Sequence, residues 1–188
     1  VPTGQIIVRN FITRTKSSAD SGLWEGMNRI SGMYLMVITA SLGVYFLPRL
    51  SEIKAKKELR NEIFSVYKMV VPFMILTTSI IFIFRVFIIH LLFTREFTGM
   101  QSLFGFQLIG DILKILGWVL GYILLAKAMT KTYIILELVN FLLLIIISYF
   151  LVNLYGTVGA TMAFAIVYLI YLLILCFVFK KLLFSRKP

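Results

Sequence analysis

Two oppositely charged side chains, Asp111 and Lys114, lie inside a long apolar stretch of the chain. A charge at the centre of a membrane span costs about 2.5–3.5 kcal/mol on insertion scales, so such residues usually face a bundle interior or a water-filled cavity. Gln107, Trp118 and Tyr122 continue the same helical face, because the steps along this stripe are three or four residues. The stripe predicts either a functional pair facing a lumen or a neutralised i,i+3 pair that only fixes helix packing.

A second polar stripe lies nearer the N-terminus, in the least hydrophobic of the long apolar runs. Side chains of this kind either line a cavity or make hydrogen bonds between packed helices, and the sequence leaves both interpretations open. The members of the stripe are Trp24, Asn28, Ser31, Tyr34, Ser41 and Tyr45.

Further charged residues occur within or near the ends of the apolar runs. Arg85 either snorkels towards the headgroups or faces inward to hold an anion. Glu137 either pairs with a neighbour such as Lys131 or titrates during transport. Arg9 and Arg29 lie near the ends of their runs, where an inward-facing role is open.

The elements that must position these residues are membrane-spanning helices. The chain has 188 residues, of which 60% are hydrophobic and 14% are charged, whereas soluble domains are about 45–50% apolar and about 25% charged. The apolar runs are too long for strands and do not alternate, which argues against a barrel. The predicted fold is an all-α membrane bundle with the end of a first helix at residues 1–13 and five complete spans at residues 26–47, 69–93, 101–126, 133–152 and 158–179.

The basic residues alternate between the connections. The segments 48–68 and 127–132 and the tail after residue 179 hold 12 Lys and Arg, whereas the alternate connections hold 3. The positive-inside rule therefore places the basic segments and the C-terminus in the cytoplasm. This distribution accounts for most of the net charge of +11 and argues against a nucleic-acid partner, which needs a basic soluble face. Segment 48–68 is predicted as a solvated loop or a short interfacial helix.

The chain carries no pattern typical of an enzyme. It has one His and one Cys, with no metal-ligand spacing, phosphate-binding glycine loop or nucleophile elbow. We therefore expect a protein that is not an enzyme and that has no metal or cofactor. Small residues four apart, from Gly156 to Ala163, predict close packing of the last span.

Two segments carry a family resemblance, residues 22–51 (GLWEGMNRISGMYLMVITASLGVYFLPRLS) and residues 97–141, which begin FTGMQSLFGFQLIGDILKILGWVLGY. They resemble the C-terminal half of bacterial polysaccharide flippases of the Wzx type, in the multidrug/oligosaccharidyl-lipid/polysaccharide exporter superfamily, with O-antigen and lipid III flippases as similar branches. The resemblance extends over essentially the whole chain. It implies one six-helix bundle of a twelve-helix transporter, with the N-terminal bundle missing from this sequence.

The resemblance also implies a function and a partner set. Such flippases move an undecaprenyl-diphosphate-linked oligosaccharide from the cytoplasmic to the periplasmic leaflet of the bacterial inner membrane. Besides that substrate and membrane lipids, a polysaccharide polymerase and a chain-length regulator are candidate partners. The implied site residues are Arg85, Lys114, Arg29 and Arg9 for the diphosphate, Tyr34, Tyr45, Trp118 and Tyr122 for the sugars, and Asp111 and Glu137 for ion coupling.

Two other functions stay open at this point. A cation-coupled exporter of drugs or small molecules on the same scaffold would need a net acidic cavity, whereas a non-transporting membrane scaffold for glycan assembly would tolerate apolar replacement of Asp111 and Lys114.

Overall fold

The structure, a computed structural model, describes residues 2–183. It is all-helical, with 93% of residues in helices and no strand in the described part. Arg186 and Lys187 of the predicted basic tail, and residue 1 of the predicted first helix, lie outside the described residues. The α-helices are α1 (Pro2–Thr15), α2 (Ser18–Ser41), α3 (Leu47–Glu52), α4 (Lys56–Ile83), α5 (Arg85–Leu92), α6 (Phe104–Ala126), α7 (Thr130–Tyr155), α8 (Thr157–Val178) and α9 (Lys180–Leu183).

The prediction of an all-α membrane protein is confirmed. Five helical stretches are long and apolar enough to cross a bilayer, since about 20 residues suffice. Two of them include non-α segments, a π-helical turn at Leu42–Phe46 between α2 and α3 and a 3-10 helix at Arg95–Leu103 before α6. The stretches are Ser18–Glu52, Lys56–Ile83, Arg95–Ala126, Thr130–Tyr155 and Thr157–Val178.

Segment 48–68 differs from its predicted solvated loop. Helix α3 continues to Glu52 and α4 begins at Lys56, so residues 53–55 alone connect them. The solvated-loop interpretation is therefore wrong, because the basic residues of the segment other than Lys54 lie in helices.

The connections lie at opposite ends of the bundle, as the charge alternation predicts. At one end Lys16, Gly99 and Thr157, from the three charge-poor connections, line a shared cleft. At the other end Lys127 Nζ donates to the Leu50 carbonyl at 2.7 Å, where its charge is favourable next to the C-terminus of α3. Which end faces the cytoplasm stays a prediction from charge.

Two buried apolar clusters flank a polar centre. One contains Leu50 and Ile123 near the basic end, and the other contains Ile12 and Met100 near the charge-poor end. Tyr34 packs against both clusters, which places the polar stripe of α2 between them.

Close packing of α6 against α8 depends on glycines of α6. A Cβ at Gly110 would overlap the Phe164 ring, and one at Gly117 would lie 2.8 Å from Tyr171 Cδ1. Gly159, one of the small residues predicted to pack the last span, is instead needed at the tight turn between α7 and α8. A Cβ added at this position would overlap the Leu151 carbonyl. The glycines of α6 thus let aromatic side chains of α8 approach its backbone.

Replacing Gly110 with alanine is expected to lower the free energy of unfolding by about 1–3 kcal/mol, the usual cost of overpacking. The new Cβ would lie 3.2 Å from Ala165 Cα as well as against the Phe164 ring. Gly105 is the matched control on the same helix, because a Cβ there meets nothing within 4 Å. Unfolding of the two alanine variants in detergent measures the difference, and equal stability would contradict the close α6–α8 contact.

Candidate functional site

Asp111 is the most deeply buried charged group of the site. Its side chain is 0% exposed, and its Oδ2 accepts hydrogen bonds from Ser31 Oγ at 2.7 Å and Tyr34 Oη at 2.6 Å. Gln107 Nε2 donates to Oδ1 at 3.4 Å. The two polar stripes predicted on α2 and α6 therefore meet at one carboxyl group.

The predicted i,i+3 pair of Asp111 with Lys114 is not formed. Among residues 2–183 no ion pair joins these side chains. The hydroxyl donors of α2 take the carboxylate instead, since they reach it across the helix interface with short bonds. Asp111 thus links α2 to α6, and the Lys114 ammonium is directed elsewhere.

The Lys114 ammonium lies among aromatic rings. Its Nζ is 4.9 Å from the ring centroid of Trp118, 5.7 Å from that of Tyr168 and 5.9 Å from that of Phe164. Each distance is within the range of about 6 Å at which a ring face attracts a cation. Lys114 is therefore held by three rings, one from its own helix and two from α8.

Two adjoining cavities meet at Lys114. The larger, of about 430 Å³, lies among α1, α2, α6, α7 and α8 and is also lined by Glu137 and Asn140. The smaller, of about 300 Å³, is lined by Asp111 and Trp118. Lys114 lines both cavities and is the one basic residue that does so within the described part of the chain.

Glu137 does not pair with Lys131, as one interpretation of the sequence predicted. Its Oε1 accepts a hydrogen bond from Tyr171 Oη at 3.3 Å, and it lines the larger cavity with Lys114. The cavity thus contains a carboxylate on α7 opposite an ammonium on α6.

Asn140 is a polar lining residue that the sequence did not single out. Its Oδ1 is buried in the larger cavity without a hydrogen-bond partner in residues 2–183. A buried amide oxygen of this kind is an acceptor that no described donor uses.

Arg9 and Arg29 are brought together by Glu25. Arg9 Nη1 lies 3.3 Å from Glu25 Oε2, and Arg29 Nη2 lies 3.1 Å from Glu25 Oε1. Both arginine side chains are more than half exposed, so these ion pairs contribute little stability. Neither arginine is among the residues that line the two cavities at Lys114.

Arg85 lies at a break between α4 and α5. Its Nη1 donates to the Phe82 carbonyl at 2.7 Å, and its guanidinium lies 4.3 Å from the Phe82 ring centroid. It therefore satisfies a backbone group that the interrupted helix leaves free, apart from the cavities at Lys114.

The two remaining tyrosines lie towards the basic end. Tyr45 is 78% exposed and borders a separate cleft of about 850 Å³ between α2 and α4. Tyr122 Oη is 3.5 Å from the Thr39 carbonyl, and its ring contacts Phe46 edge-on. The structure thus brings Tyr34 and Trp118 to the Lys114 region and leaves these two outside it.

Sequence reasoning missed the aromatic residues of α8. Phe164, Tyr168 and Tyr171 follow one another by four and three residues, which is a helical face. This signal was present, but a charge-free span gives no reason to distinguish it from a lipid-facing surface. No group of His, Cys, Asp and Glu in the described residues could hold a metal ion.

Comparison with known proteins gives two curated relatives. Proteins named lipid III flippase from Escherichia coli (strain K12) and Shigella flexneri are each 36% identical to the chain over 187 residues, which is 100% of this chain and 44% of each relative. The chain thus spans less than half the length of these relatives. No family model and no solved structure matches it.

Proposed function

We propose, from the premise that this multi-pass chain is homologous along its whole length to the lipid III flippases, that it is part of a flippase for a lipid-linked oligosaccharide. The substrate is an undecaprenyl-diphosphate-linked oligosaccharide, an O-antigen unit or lipid III, moved from the cytoplasmic to the periplasmic leaflet. The protein resides in the bacterial inner membrane with its C-terminus in the cytoplasm, and acts as a transporter.

The observation that carries the proposal is the placement of Lys114 on two adjoining cavities inside a bundle of membrane-length helices. The obstacle to flipping is the transfer of a charged diphosphate and hydroxyl-rich sugars out of water. An ammonium in a protected cavity replaces part of the hydration of the diphosphate. Aromatic rings and hydrogen-bonding side chains replace that of the sugars.

The roles of the individual residues follow from their positions. Lys114 is the principal diphosphate ligand, and Trp118 and Asn140, which line its cavities, contact the sugars. Tyr34, which donates to Asp111, is a further sugar contact beside them. Glu137 is the ion-coupling group of the larger cavity.

A second set of candidates is more distant from Lys114. Arg9 and Arg29 attract the headgroup once a diphosphate competes with Glu25 for them, since one carboxylate neutralises only one of their two charges. Arg85 extends this set of cations, and Tyr45 and Tyr122 contact sugars near the basic end.

Deleting the complete gene tests the proposal. We expect a lipid-linked oligosaccharide to accumulate on the cytoplasmic leaflet and surface glycan to disappear, and the cloned gene to reverse both effects. Surface glycan that persists without such accumulation would contradict the proposal. Loss of drug efflux with normal surface glycan would instead indicate the cation exporter, and full rescue by a Lys114→Ala, Asp111→Ala double variant would indicate the scaffold.

A further inference from the structure

The rings around Lys114 have the arrangement of a binding site for a cation. Trp118 and Lys114 are four residues apart on α6, and Phe164 and Tyr168 are four apart on α8, so two helices present their rings to one point. Aromatic cages of this type bind quaternary ammonium ligands. Here the cation is a side chain of the same polypeptide, tethered inside the cage.

The lining of the two cavities loses its one described positive charge if the ammonium is removed, and only carboxyl groups remain as charged groups. Apart from Lys114, the charged residues that line the two cavities in the described part of the chain are Glu137 and Asp111. Arg9 and Arg29 do not line either cavity, so the positive charge that Glu25 leaves on this pair lies outside the lining. Without Lys114, the site would combine three ring faces with two carboxyl groups.

We propose that the rings of Trp118, Phe164 and Tyr168 form a latent organic-cation site that Lys114 occupies and thereby closes. Lys114 is then a specificity-determining residue, because the charge that attracts an anionic headgroup also keeps organic cations out of the cavity. The space is sufficient for such a ligand, since the larger cavity has about 430 Å³ and ligand pockets range from about 300 to 1,000 Å³. The inference depends on the cage geometry and not on the identity of the transported lipid.

Binding of radiolabelled tetraethylammonium to the complete protein in lipid nanodiscs tests this proposal. We expect Lys114→Ala and Lys114→Met to bind the ion with a Kd at least tenfold below that of the unmodified protein. Adding Trp118→Ala to Lys114→Ala should weaken that binding again. Lys131→Ala is the matched control, because it removes an equal charge from an exposed position and should bind as the unmodified protein does.

A melting-temperature shift gives a second readout that works for a destabilised variant. Tetraethylammonium should raise the melting temperature of the Lys114 variants and leave that of the unmodified protein unchanged, because a ligand stabilises only the state that binds it. Equal binding and equal shifts for all variants would overturn the cage proposal. Since neither measurement involves a lipid substrate, such a result would leave the flippase proposal to its own genetic test.

Discussion

Replacing Lys114 with alanine in the complete protein is expected to remove surface glycan display while membrane insertion stays intact. Under the proposed function, Lys114 is the one described basic residue on both cavities. Removing one partner of a desolvated charge pair costs roughly 2–5 kcal/mol, which corresponds to at least a tenfold loss of transport. Insertion should persist, because removing a charge from a span lowers its transfer cost. Surface glycan and protein abundance in a deletion strain measure the two effects.

Three comparisons separate a local role of Lys114 from a general loss of positive charge. Lys114→Arg should retain more display than Lys114→Ala, and Lys131→Ala should behave as the unmodified protein. Arg85→Ala removes a charge at the α4–α5 break, so display should fall less than for Lys114→Ala if the guanidinium mainly satisfies the Phe82 carbonyl. Normal display by Lys114→Ala would exclude Lys114 as the diphosphate ligand.

Replacing Asp111 with leucine is expected to weaken the contact between α2 and α6 and to stop transport. Leucine leaves the hydroxyl groups of Ser31 and Tyr34 without their acceptor. In soluble proteins, each buried donor left unsatisfied lowers the free energy of unfolding by about 1–3 kcal/mol. Hydrogen bonds between membrane helices average about 0.6 kcal/mol, so the total loss of stability should be about 1–3 kcal/mol. The melting temperature of the complete protein in detergent and surface glycan display measure the outcome.

Asp111→Asn is the matched variant, because it keeps the hydrogen bonds and removes the charge. The asparagine oxygen can accept from both Ser31 and Tyr34, and its amide can donate to Gln107 Oε1, which is buried and has no hydrogen-bond partner among residues 2–183. We expect near-normal stability with impaired transport if the carboxylate takes part in ion coupling. Normal transport by Asp111→Asn would assign Asp111 to helix packing alone.

The spans could be predicted because hydropathy reports the solvent that a segment meets. Hydropathy did not distinguish a helix from a loop at segment 48–68, because it reports the polarity of a segment and not its secondary structure. A helix outside the apolar layer, with Lys and Glu on its surface, has the same composition as a solvated loop. The short connection at residues 53–55 depends on tertiary contacts, including the bond from Lys127 to Leu50, and no local pattern encodes them.

The site could be predicted in parts but not assembled. Periodicity found the stripe containing Ser31 and Tyr34 and the stripe containing Asp111 separately, because each is a property of one helix. Their meeting joins residues about 80 positions apart, and local spacing favoured Lys114 as the partner. Phe164 and Tyr168 were missed because the sequence pattern of an aromatic residue is the same whether its ring faces a cation or a lipid acyl chain.

The π-helical turn at Leu42–Phe46 determines how the side chains before it are rotated about the helix axis relative to those after it, within the long helical stretch Ser18–Glu52. Bonds from i to i+5 take up one residue more than an α-helical turn, and one residue corresponds to about 100° of rotation. One end presents Ser31 and Tyr34 to Asp111, and the other presents the Leu50 carbonyl to Lys127. Deleting one residue from this turn would rotate one end of the helix relative to the other by about a quarter of a revolution. Either the contact of Ser31 and Tyr34 with Asp111 or the contact of Leu50 with Lys127 would then be lost. The extra residue therefore allows one continuous helix to make both contacts.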